Sequence, residues 1–138
     1  MDLLDYLQSV KKEDYPEFTM PKDVPPPVEH AFLGAYIAEK VLEIDDKEII
    51  DAIRYHTSGK PQMSTLGKLI FVADMVEKGR VYQGVEELRA AYYSDAGIDD
   101  CFALCLKEEV LHLLNKNERI YKATLDAYDY YLKDKKTE

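Results

Sequence analysis

Apolar side chains recur along this chain at spacings of three and four, and strict alternation is nearly absent, so the pattern predicts helices rather than sheet. From His30 the positions on the same face are Leu33, Gly34, Ile37, Ala38 and Val41. Before His56 they are Ile49, Ala52 and Ile53, and before Asp74 they are Leu66, Gly67, Ile70 and Phe71. Residues three, four and seven apart share a helix face, so each of these ionisable residues is expected where the aliphatics are. A polar group on a core face is costly unless a partner compensates it. Three of them on separate helices suggest one shared partner, and a metal ion is the simplest candidate. His112 is the control: Glu108, Glu109, Asn115 and Lys116 mark its face as solvated, and no role is expected for it.

Breakers and caps divide the pattern. A short helix is expected over Leu3 to Val10, followed by an irregular connection over 11–27 containing Pro16, Pro21 and the Pro25-Pro26-Pro27 run. A helix then runs from about Val28 to Leu42. Asp45 or Asp46 caps the next, which continues to about Thr57. After Gly59 and Pro61, Ser64 caps the helix that carries Asp74. Gly79 and Gly84 bracket a turn before a shorter helix over Val85 to Tyr93. Asp99 is expected to cap a helix to about Leu114, and the last covers Arg119 to Leu132. Residues 133–138 should fray. The expectation is an all-α array in a single domain over 1–138.

Composition narrows the partners. A length of 138 residues suits one core. A net charge of −9 argues against DNA, RNA or an anionic membrane, which need a basic face. It leaves room for a small phosphorylated ligand held by local cations. The start, MDLLDYLQ, has acids where a signal peptide carries bases, and no apolar run has the length of a membrane span. The expected location is the cytoplasm. Cys101 and Cys105, one helical turn apart, are expected to fill a helix face rather than to form a disulfide or a metal site.

Imidazole and carboxylate ligands together suit iron, manganese, zinc and similar ions. Such an ion acidifies its water and makes a nucleophile at neutral pH. Lys60 lies in a Gly- and Pro-containing loop after His56, and Arg80 comes after the helix end at Gly79. Cations flanking a metal suit phosphoester or phosphoanhydride hydrolysis, where charge develops on phosphoryl oxygens.

The strings HAFLGAYIAEKVL, AIRYHTSGKPQMS and IFVADMVEKGR, in this order and spacing, resemble consecutive motifs of the YqeK group of HD-superfamily metal phosphohydrolases. The resemblance runs from about Val28 to Arg80 and continues more loosely to Leu132, in GVEELRAAY and ERIYKATLDAYDYYL. It implies an HD-domain-like helical array and symmetrical hydrolysis of diadenosine tetraphosphate to two ADP. It also implies a two-metal centre in which iron is typical. Position by position, His30 and His56 match the later histidines that bind the second metal, and Asp74 matches the late aspartate that binds the first. Lys60 and Arg80 match basic positions expected to contact substrate phosphates, and Thr57, Ser58 and Gly59 shape the loop between them.

One part of the pattern is missing. The group has an earlier histidine and then an adjacent His-Asp pair, whereas here His30 precedes Ala31, His56 precedes Thr57 and His112 precedes Leu113. The beginning of the chain resembles the stretch just after that pair, so the expectation is an N-terminally truncated, partial HD-type domain with an incomplete metal site. Three functional readings are open: the tetraphosphate hydrolase, an inactive scaffold or interaction module, and a phosphohydrolase of another nucleotide. Core surface that the absent helices would have covered favours a homodimer.

Overall fold

A computed structural model describes residues 9–95 and 97–133. Among the described residues there are six α-helices, one short 3-10 turn at Lys12–Asp14 and no strand. In chain order the helices are α1 (Pro26–Lys40), α2 (Lys47–Arg54), α3 (Thr65–Val76), α4 (Val85–Tyr92), α5 (Ile98–Asn115) and α6 (Lys122–Lys133). The predicted all-α architecture is therefore observed. The helix expected over Leu3 to Val10 and the frayed tail lie almost wholly outside the described residues.

Local chemistry explains most boundaries. Pro26 and Pro27 occupy the first turn of α1, two positions earlier than expected, because proline's fixed φ suits that turn and its missing N–H costs nothing there. Asp46 caps α2, its Oδ1 accepting from the Glu48 and Ile49 amides at 2.9 and 3.4 Å. Ser64 caps α3 by accepting from Gly67 N at 3.0 Å. Two expectations are corrected. Helix α2 ends at Arg54, so His56 sits in the following turn, where its amide bonds to Ile53 O in a tightened last turn. Asp99 is not a cap either: Gly97 takes that place, and Asp99 stands in the first turn of α5, paired with Lys68 of α3.

Helix α3 is central, packing against α2, α4 and α5, while α1 rests on α2 and α6 on α5. The main core joins Phe71 and Val72 of α3 to Leu88 of α4, Phe102, Cys105 and Leu106 of α5, and Ala127 of α6. Phe71 and Phe102 meet edge to face at 5.1 Å, a favoured aromatic arrangement. Tyr131 joins the same cluster, and its hydroxyl accepts from Met63 N at 2.7 Å. Cys101 and Cys105 are buried free thiols, as expected. A second cluster of Val24, Val28 and Phe32 fastens the proline-rich connection to α1. No helix among the described residues is long and apolar enough to cross a membrane.

Candidate functional site

The ends of α1 and α3, the turn after α2 and the last turns of α5 enclose an open cleft of about 700 Å³. His30, His56, Thr57, Asp74 and Arg80 all line it. His30 and Asp74 are exposed rather than buried, which corrects the reading of a core face. Their stripes run out of the core to the surface, and Ile70, one turn before Asp74, is 42% exposed.

The two imidazoles meet edge to face with ring centroids 5.2 Å apart. His56 Nδ1 lies 2.6 Å from Ile53 O. A carbonyl only accepts, so Nδ1 carries the proton and Nε2 keeps its lone pair. The backbone at the end of α2 thereby sets the tautomer that a metal or a proton could use. His30 Nε2 stands 3.1 Å from Thr57 Oγ1, a hydroxyl able to donate or accept as the ring changes charge. Partial burial, and then repulsion from His56, hold the His30 pKa below its ordinary value, against a hydrogen bond to the Pro27 backbone and the attraction of Asp74.

Asp74 pairs with Arg80, Oδ1 to Nη2 at 3.2 Å, and both side chains are about half exposed. Arg80 Nε also stands 3.6 Å from Glu77 Oε1. Among the described residues no group of three or more His, Cys, Asp or Glu side chains is placed to hold a metal ion. The structure thus brings His30 and His56 together but does not gather Asp74 with them into one ligand set.

The loop residues divide. Thr57 faces the cleft, whereas Ser58 is buried and its hydroxyl donates to Gly59 O at 3.0 Å. Gly59, at φ +69°, is pressed against the core, where a Cβ would come 3.2 Å from Leu106 Cδ2. Lys60 is outside the lining; its Nζ reaches Pro61 O and Gln62 O at 3.4 Å and lies 5.5 Å from the Tyr55 ring centroid.

The opposite wall carries residues that the sequence did not single out. His112, expected to face bulk solvent, lines the cleft with Glu108, Glu109 and Tyr82. Burial is the main cause raising the Glu109 pKa, with Asp74 adding to it and His112, Lys116 and Arg80 opposing. The Tyr82 hydroxyl donates to Met75 O at 2.7 Å, and burial pushes its pKa up to about 12.

The helical array thus carries one imidazole on α1, a second in the turn after α2 and an aspartate on α3. The HD domain family model matches residues 2–79, and the chain belongs to this family. It is similar to the symmetrical bis(5'-nucleosyl)-tetraphosphatase of Bacillus subtilis, 34% identical over 123 residues, or 89% of this chain and 64% of that protein. The Staphylococcus aureus protein of the same name is 38% identical over 102 residues, 74% of this chain and 53% of its own length. That of Halalkalibacterium halodurans is 38% identical over 107 residues, 78% and 56% respectively. The chain thus spans between 53% and 64% of the length of these relatives. Among solved structures, a predicted HD superfamily hydrolase involved in NAD metabolism from Clostridium acetobutylicum superposes with a TM-score of 0.70 at 24% identity. The match covers 94% of this chain and 68% of that one, and it supports the fold alone.

Proposed function

We propose that this chain serves the metal-dependent hydrolysis of dinucleoside tetraphosphates, with diadenosine tetraphosphate as substrate and two ADP as products. The observation that carries this reading is the cleft itself. The segment similar to three symmetrical tetraphosphatases contributes His30, His56, Thr57, Asp74 and Arg80 to its lining. In this reading His30 and His56 are metal ligands and Arg80 binds substrate phosphate, with Asp74 limiting its motion. Thr57, its Oγ1 3.1 Å from His30 Nε2, adds a hydroxyl to the same cleft. Ser58, Gly59 and Lys60 hold the loop in shape, Lys60 through the Pro61 and Gln62 carbonyls.

The fit to a metal centre is partial. Two imidazoles are adjacent, but Asp74 is engaged by Arg80 and no three-ligand set exists among the described residues. An ion held by His30 and His56 alone would be weakly bound, since stable sites use three or four protein ligands. Further ligands are therefore part of the reading, and iron is the metal expected. What the chain's own residues do is hold His56 in one tautomer, keep His30 uncharged near neutral pH and present one guanidinium to an anion. The half-exposed apolar residues Leu69 and Ile70 of α3, at 41% and 42%, favour a homodimer that covers them. A monodisperse monomer in light scattering overturns that part.

The test is incubation with diadenosine tetraphosphate and added divalent metal, with products separated by anion exchange. ADP as the product, lost in His56→Ala, is the expected result. Hydrolysis no faster than that of His56→Ala would instead assign an inactive scaffold. Faster turnover of another nucleotide would move the substrate assignment.

A further inference from the structure

The segment between α3 and α4 supplies Arg80, Tyr82, Gln83 and Gly84 to the cleft, yet it has no regular structure to hold it. One side chain outside the cleft gathers it. Arg89, on α4, donates from Nε to Val76 O at 3.0 Å and from Nη2 to Glu77 O at 2.8 Å and Arg80 O at 2.6 Å. Its Nη1 pairs with Glu86 Oε1 at 2.6 Å, and its side chain is only 20% exposed. Three carbonyls from one turn thus converge on one planar fork. Two of them belong to the end of α3 and its C-cap, where terminal carbonyls lack helical partners and the helix dipole favours a cation. The third is the carbonyl of Arg80 itself.

We infer that Arg89 is the positioning residue for Arg80: it fixes residues 77–80 so that the Arg80 guanidinium faces the cleft rather than solvent. This inference rests on the reading of Arg80 as the phosphate-binding cation. Local bonds support the same geometry. Arg80 N donates to Glu77 O at 3.0 Å, and Gly79 N donates to Glu77 Oε2 at 2.9 Å. Glu77 O is therefore shared between the turn's own amide and Arg89, which ties the turn to α4. Arginine is required for this role. Lysine keeps the charge near the end of α3, but a single ammonium lacks the rigid fork that meets carbonyls in different directions.

The test pairs Arg89→Lys with Arg80→Ala in a double-mutant cycle on the full chain, with inorganic tripolyphosphate as the probe. Hydrogen exchange of the amides over 77–84 is read alongside. Arg89→Lys is expected to speed exchange in that segment while leaving α5 and α6 protected. It should also weaken tripolyphosphate binding about tenfold, as for loss of one well-placed charged hydrogen bond. In the Arg80→Ala background the same substitution should cost no further affinity, because the group that Arg89 positions is gone. An equal loss in both backgrounds overturns the inference and leaves Arg89 a merely structural residue. Unchanged exchange over 77–84 overturns it as well. If Arg80→Ala binds tripolyphosphate like the unsubstituted chain, it is the phosphate role of Arg80 that fails, and the exchange data alone then decide whether Arg89 sets the turn.

Discussion

The imidazoles of His30 and His56 meet edge to face at 5.2 Å, one carried by α1 and the other by the turn after α2. Partial burial, and then repulsion from His56, lower the His30 pKa. His56 is fixed by its bond to Ile53 O. The pair therefore enters the neutral pH range uncharged at His30, which is the state a ligand or a base requires.

A pH dependence results, with its sign set by the direction of the shift. An imidazole whose folded pKa lies below the ordinary value of about 6.5 binds fewer protons folded than unfolded just below that pH. Its contribution to stability is complete above about pH 6.5 and is lost as pH falls toward the folded pKa. Ring titration by NMR, on chain stripped of metal, should place His30 below the ordinary value. In His56→Ala the His30 midpoint should rise, because repulsion from the second ring and part of the burial are removed. An unchanged midpoint would mean that the two rings are not electrostatically coupled.

Arg80→Ala should separate binding from stability. Arg80 and Asp74 form a half-exposed pair, and exposed ion pairs contribute only about 0–1 kcal/mol. The urea midpoint should move little, whereas affinity for diadenosine tetraphosphate should fall about tenfold or more, the scale of a charged hydrogen bond. Lys60→Ala is the companion, because Lys60 bonds to loop carbonyls and does not line the cleft. Its effect on affinity should be clearly the smaller. Equal losses would mean that Lys60 swings into the cleft when the anion arrives.

Gly59→Ala tests the loop that carries His56 and Thr57. The residue stands at φ +69°, and an added Cβ would lie 3.2 Å from Leu106 Cδ2, so backbone strain and crowding act together. A loss of about 1–3 kcal/mol is expected in urea denaturation. The neighbouring Gly59 N to Tyr55 O bond, 2.8 Å, should exchange faster with solvent. A neutral substitution would show that this turn can rearrange, and the positions of His56 and Thr57 would then be less fixed than the bond lengths imply.

How much the sequence made legible depends on the range of the interactions concerned. Asp46 and Ser64 act within three residues of themselves, and both caps are where the sequence puts them. His30 and His56 do meet, but not by the shared core face that the stripes suggest: His56 lies in the turn after α2 and His30 is exposed. Asp99 misled, because a tertiary partner, Lys68 of α3, uses its carboxylate while Gly97 occupies the cap position. His112 misled for a different reason. A face of Glu108, Glu109 and Asn115 has the same pattern whether it meets bulk water or a water-filled cleft, and only the packing of α5 on α3 distinguishes them. Arg89 carried no motif at all: its three carbonyl partners come from a turn that precedes its helix.

Divalent metal binding gives the sharpest test of how much of a metal centre these residues supply. Two adjacent imidazoles with no third ligand among the described residues predict weak, chelator-reversible binding, because each ligand lost from a site removes affinity and leaves more of the ion to water. Cobalt(II) titration followed by its visible spectrum should saturate only at excess metal. His56→Ala should abolish the change, since His56 Nε2 is the ligand atom left free by the Ile53 bond. His112→Ala should leave it intact, since His112 lies on the opposite wall with Glu108 and Glu109. Tight stoichiometric binding would show that Asp74 can leave Arg80, or that residues outside those described complete the set. Loss on His112→Ala would move the site across the cleft to the α5 wall.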